Sequence, residues 1–254
     1  MGLDTCGDDE SGYHDMTRLF RMLALGAAAL GTPAVVSGQD TSSPVVVELF
    51  TSQGCAACPP ADEMMAELAG RSDVIGLSLH VDYWNYLGWE DTFSQAAFTE
   101  RQYGYGRAAG STVVYTPQIV IGGQDRVMGA RAMEIADLIA AHRARPDPVE
   151  ISVDPVEAGS AYRIEARWTA TTAAPEMIVQ LVAFSPHERV EITRGENAGR
   201  VADYYNVVRD WRVVAEWDGR QPFAARVTPG SDLPHVLIVQ AAGHGVVQGV
   251  ARLD

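Results

Sequence analysis

The sequence predicts an α/β domain followed by an all-β, sandwich-like domain. Three observations lead there. From Val45 to about Arg145, short β-branched runs alternate with helix-periodic segments, as in a layered α/β structure. Asp147-Pro148 then breaks the pattern. Beyond it, apolar and polar residues alternate with period two in short runs separated by turn residues.

The chain has 254 residues, 47% of them apolar and 20% charged, with a net charge of −14, enough for one large or two ordinary domains. All 19 basic residues are arginine. An acidic balance repels phosphate backbones and anionic lipid, so neither nucleic acid nor a membrane surface is an expected partner.

Residues 1–15 are rich in Asp and Glu, and a basic, then apolar, then small-residue stretch follows from Met16 to Gly38. That order is the signature of a secretory leader, with Met16 as the expected true start and cleavage after Gly38. Its removal takes away five acids and two arginines, leaving 28 acids against 17 arginines. Cys6 goes with it, so Cys55 and Cys58 remain, in an oxidising compartment where they can pair as a disulfide. A periplasmic or secreted protein with no membrane span after cleavage is expected. The three parts are then a leader (1–38), an α/β domain (39–147) and a β domain (148–254).

In the α/β part, Val45–Phe50 and Val74–Val81 read as buried strands, and Ala61–Ala69 as a helix with Ala61, Met64, Met65 and Leu68 on one face. Ile119–Ile121, Gly122-Gly123 and Arg126–Met128 read as a hairpin, because paired glycines suit the positive φ of a tight turn. Ala132–Ala144 reads as an amphipathic helix. In the β part, Tyr162–Thr169 and Trp211–Trp217 alternate cleanly, and Ile178–Phe184, Phe223–Val227, Val236–Ala241 and Val246–Leu253 supply further strands of a sandwich.

The chemistry concentrates in Gly54-Cys55-Ala56-Ala57-Cys58-Pro59. Between a strand and a helix, a C-x-x-C sits where unpaired N–H groups and the positive end of the helix dipole stabilise a thiolate. Cys55 is then the attacking sulfur and Cys58 the resolving one, with Pro59 and Pro60 in the first turn where a missing N–H costs little. Tyr115-Thr116-Pro117-Gln118 precedes a strand, hairpin and helix, a place for a cis peptide bond.

In that order the segment resembles the thioredoxin superfamily. The resemblance implies Cys55 as nucleophile, Cys58 as resolving thiol and Pro117 as the cis-proline beside them, with Thr116 next to it. More narrowly, Glu48-Leu-Phe-Thr-Ser-Gln-Gly-Cys55-Ala-Ala-Cys58-Pro-Pro-Ala-Asp62, His80-Val-Asp82-Tyr-Trp84, Leu87-Gly-Trp89, Phe98-Thr-Glu-Arg-Gln102, Tyr115–Gln118 and Arg194-Gly-Glu-Asn197 resemble a bacterial secreted family called domain of unknown function 1223. The likeness runs from about residue 45 to the C-terminus. It implies a thioredoxin-like fold and secretion, and names no substrate. The long N-terminal extension departs from the family.

Asp82–Gly110 carries eight aromatic residues, Trp84 among them, and reads as a helical insertion. Its rings either line a substrate groove beside the cysteines or pack on their own core, the commoner fate of aromatics. His80 and Asp82 either tune Cys55 or form a structural pair satisfied by the loop. Glu48, a carboxylate in an apolar strand, either assists the resolving thiol or pairs with an arginine. Arg194–Arg200 reads as a Gly/Asn turn between strands, with a polar loop reaching the redox site as the alternative.

Three functions compete. The first is thiol–disulfide exchange with a protein thiol or disulfide. The second is a soft-metal module holding copper with Cys55, Cys58 and His80. The third is a binding protein in which the disulfide is only structural. Redox comes first, because C-x-x-C near a βαβ pattern reads so. No cofactor motif of the P-loop, Rossmann, nucleophile-elbow or zinc-protease type is present, and two cysteines alone do not make a structural zinc site.

Overall fold

β1 (Val45–Thr51) and β2 (Val74–His80) are buried at every position, which continuous β-branched runs require when both faces of a strand are covered. They pair in parallel, from Val45 opposite Val74 to Thr51 opposite His80. The connection between them is α1 (Pro59–Ala69), which starts with its two prolines and buries Ala61, Met65 and Leu68. Gly76 lets this helix sit close: a Cβ there would stand 2.9 Å from Met65 Cε. The computed structural model describes residues 43–156 and 160–253. The expected leader lies outside the described residues.

β2 is followed by a short 3-10 turn (Asn85–Leu87) and then by α2 (Ala96–Ala108). β3 (Gln118–Ile121) runs antiparallel to β1, and β4 (Asp125–Met128) forms the outer edge. Gly122 and Gly123 turn the hairpin at φ +58° and +71°, as the glycine pair predicts. α3 (Ala132–Arg143) buries Ile135 and Ile139 on Val47, Leu49 and Ile119.

Seven strands follow: β5 (Val149–Val156), β6 (Ala161–Trp168), β7 (Met177–Ile192), β8 (Arg200–Trp217), β9 (Phe223–Val227), β10 (His235–Ala241) and β11 (Val247–Leu253). They do not make a separate sandwich. One eight-stranded mixed sheet runs β11-β10-β7-β8-β2-β1-β3-β4, and only β5, β6 and β9 form a second, small sheet. The expected pairing of a thioredoxin-like α/β domain with an independent β domain is therefore corrected: among the described residues strand predominates, 44% against 19% helix.

The seam is β8 against β2. Val207 pairs with Ser78 in parallel, Ser78 Oγ donates to the Tyr205 carbonyl at 2.8 Å, and Asn206 Nδ2 donates to the Gly76 carbonyl at 2.8 Å. Period-two alternation shows which face a strand buries but not which strand it joins, so no local signal marks this junction. The expected aromatic-rich helical insertion is corrected for the same reason. Phe98 and Tyr105 of α2 do not pack on a core of their own; they enter one with Phe50 and Leu79 and with Val182, Phe184, Val236 and Ile238 from the second half. Among the described residues, no helix is long and apolar enough to cross a membrane.

Candidate redox site

Cys55 and Cys58 form a disulfide with their Cα atoms 5.4 Å apart. β1 ends at Thr51, the chain turns through Ser52–Gly54, and Cys58 caps α1, its carbonyl accepting from the Ala61 and Asp62 N–H groups at 2.8 and 3.1 Å. Ala56 and Ala57 are exposed, whereas Cys55 is 2% exposed and Cys58 wholly buried.

Three loops hold this segment. The Thr116–Pro117 bond is cis, and Thr116 Oγ1 accepts from Trp84 Nε1 at 2.8 Å. Trp84 also abuts Gly54, where an added Cβ would lie 3.3 Å from Trp84 Cβ. Gln53 is tied to the loop after β2: its N–H donates to Asp91 Oδ2 at 2.7 Å, and its Oε1 accepts from Trp89 Nε1 at 2.8 Å. From the far end of the β7–β8 hairpin, Asn197 Nδ2 donates to the Gln53 and Cys55 carbonyls, both at 2.9 Å.

The helix that follows the pair carries a buried titratable group. Asp62, on the first turn of α1, accepts from Thr51 Oγ1 at 2.7 Å. Burial pushes its carboxyl up to about 7, with the Thr51 hydroxyl and His80 pulling back. His80 and Asp91 form a fully buried pair at 2.7 Å. Burial raises the Asp91 carboxyl, but His80 and the Gln53 and Phe93 N–H groups outweigh it and hold it below the usual range. His80 meets Phe93 and Tyr204 edge-on at 5.2 and 4.9 Å, and its Nε2 has no hydrogen-bond partner. A cleft of about 280 Å³ between α1 and the β7–β8 hairpin opens onto Asp62, with Pro59, Asn197, Arg200 and Tyr204 on its walls.

Residues 46–240 match the profile of a family described as "Protein of unknown function (DUF1223)". The chain belongs to this family. It is also similar to protein AGR_C_4864 from Agrobacterium tumefaciens, known from a crystal structure, at 34% identity and a TM-score of 0.70, over 83% of this chain and 94% of that one. HBP35 of Porphyromonas gingivalis shares the fold at 13% identity and a TM-score of 0.57, over 83% of this chain and 74% of that one. No match was found among curated proteins.

In this DUF1223 chain the residues singled out by sequence part company. Cys55, Cys58, Trp84, Thr116 and Pro117 lie in loops bound to one another. His80 joins them through Asp91, not Asp82. Asp82 instead accepts from Thr99 Oγ1 at 2.6 Å and ties the start of α2. Glu48 faces away into an ion pair: Arg101 Nε and Nη2 donate to its two oxygens at 2.6 and 2.9 Å, and Tyr105 donates at 2.5 Å. Of the two readings of Glu48, the arginine partner is the one present. Sequence alone assigns no role to Asp62, Asp91 or Thr51; the visible signal for Asp62 is its place four residues after Cys58, one helical turn away. The polar-loop reading of Arg194–Arg200 describes Asn197. Among the described residues, no group of three His, Cys, Asp or Glu side chains is placed to hold a metal ion.

Proposed function

We propose that this protein is a thiol–disulfide oxidoreductase of the periplasm or cell exterior, acting on protein thiols or disulfides through Cys55 and Cys58. The observation that carries the reading is the disulfide at the N-terminal end of α1 with a buried acid, Asp62, one turn on. In the direction that oxidises the substrate, a substrate thiolate attacks Cys55 Sγ. The Cys55–Cys58 bond breaks, a mixed disulfide forms, and the electron pair leaves on Cys58 at the positive end of the helix dipole. Neutral Asp62 gives its proton to the Cys58 thiolate and regains one from solvent through the cleft. A second substrate thiolate then attacks the mixed disulfide, releasing oxidised substrate and the Cys55 thiolate. In reverse, Asp62 takes the Cys58 proton as Cys58 attacks the mixed disulfide. The leader-like stretch over residues 16–38 supports the compartment.

The test is the equilibrium potential of the full chain in glutathione buffers, trapped by alkylation. Reversible opening between about −120 and −270 mV is expected. A pair that stays oxidised below about −300 mV is a structural staple, and the proposal fails.

A further inference from the structure

Asn197 sits 142 residues from Cys55 in sequence, yet it holds the Cys55 carbonyl. Both hydrogens of its amide are spent on the Gln53 and Cys55 carbonyls, which flank Gly54, and the residue is 5% exposed. The hairpin tip is fitted to the site. Gly195 has φ +76°, and a Cβ there would come within 3.0 Å of Trp89 Cβ, while Trp89 itself donates to Gln53. Cys55 is nearly closed to solvent although its neighbour Ala56 is exposed. A macromolecular substrate therefore cannot reach the sulfur while every one of these ties holds.

Buried carbonyls need a donor. If Asn197 withdraws, the Gln53 carbonyl loses its donor and the Cys55 carbonyl keeps only the Cys58 N–H, at 3.2 Å, so both are open to whatever replaces the amide. An extended polypeptide brings backbone N–H groups along its length, and it is the substrate class best equipped to supply them.

Resting on the oxidoreductase reading, we propose that Asn197 is a latch: its side-chain amide fills the donor position that the backbone of an extended polypeptide substrate takes over when it docks beside Cys55. Asn197 is a positioning residue, not a catalytic one. The substrate competes with the latch for two carbonyls, and a small thiol does not.

The experiment compares thiol–disulfide exchange of the oxidised full chain with two probes, reduced unfolded ribonuclease and reduced glutathione. Asn197→Asp keeps the shape and loses the donor. The ratio of the ribonuclease rate to the glutathione rate is expected to rise about tenfold or more, the scale of two modest hydrogen bonds released together. An unchanged or lower ratio overturns the latch, because loss of mere structural support moves both probes together. Asn197→Ala, which carries no side-chain donor, serves as the second variant if the first does not fold, with the same rise expected. If neither probe reacts with the native chain, the oxidoreductase reading has failed, and the latch is tested alone. In Cys58→Ala, labelling of Cys55 by a polymer-linked maleimide relative to N-ethylmaleimide rises on adding Asn197→Asp if the latch exists. If that ratio does not move, the latch is wrong.

Discussion

The Thr51 hydroxyl donates to Asp62 Oδ1 at 2.7 Å, joining the last residue of β1 to the first turn of α1 and closing a loop that contains both cysteines. The bond holds one oxygen of a carboxyl that burial has raised to about 7. It couples the strand end, the disulfide segment and the cleft into one small unit.

Asp62 therefore makes stability fall as pH rises. Below the unfolded value near 3.8 the group is protonated in both states and contributes nothing. Between there and about 7 the folded protein keeps a proton that the unfolded chain releases, so each step up in pH favours unfolding. Asp62→Asn removes the penalty. Its gain over wild type is expected to be small at pH 4 and on the order of 2–4 kcal/mol at pH 8, by urea denaturation. An equal difference at both pH values contradicts the raised carboxyl.

Asp91 works in the opposite sense. Its folded value is depressed, so its contribution is full above about 4 and disappears as pH falls through the folded value. Asp91→Asn is expected to cost about 1–3 kcal/mol at pH 7, because a buried charge-assisted contact to His80 weakens. It should also flatten the acid limb below about pH 4. Near-ultraviolet circular dichroism along an acid titration reads both, and an acid limb as steep as wild type rejects the assignment.

Glu48 shows where sequence reasoning stops. Its oddness, a carboxylate in VVVELFT, was plain, and the two possible resolutions were an acid for the cysteines or a salt bridge. Choosing needed Arg101, which is 53 residues away on α2 and whose guanidinium also lies 3.7 Å over the Trp211 ring. Glu48→Gln leaves that guanidinium buried without its counter-charge and is expected to cost about 3–5 kcal/mol. Glu48→Leu combined with Arg101→Met should recover a large part of the loss. Chemical denaturation of the single and double variants decides it. A double variant no better than either single removes the ion pair as the cause.

The same limit explains the fold. Local patterns show the strands of the first half, its first and last helices and the turn at Gly122-Gly123, because each follows from periodicity or a single residue's φ preference. The long arms of β7 and β8 did not show. Pro186 interrupts one, and the other passes through Asn206 at φ +48° without leaving the strand. Yet these arms carry Asn197 to the disulfide and Val207 to β2. A site completed by long-range pairing leaves its cysteines legible and its positioning groups hidden. Asn197 could be offered only as one reading of a turn.

Trp84 gives a sharper check on how the loops brace the pair. Gly54→Ala places a Cβ 3.3 Å from Trp84 Cβ, closer than ordinary contact, so residue 84 must give by a few tenths of an ångström. The indole resists, because its N–H is bonded to Thr116 at 2.8 Å beside the cis peptide. Gly54→Ala is therefore expected to cost about 1 kcal/mol in the wild-type background. Trp84→Ala keeps the Cβ but cuts the tether, so the same Gly54→Ala change should then cost about half as much or less. The measurement is a double-mutant cycle on thermal stability in the oxidised state. Additive costs would mean that Trp84 does not brace Gly54, and that the Thr116 loop and the cysteine segment are held independently.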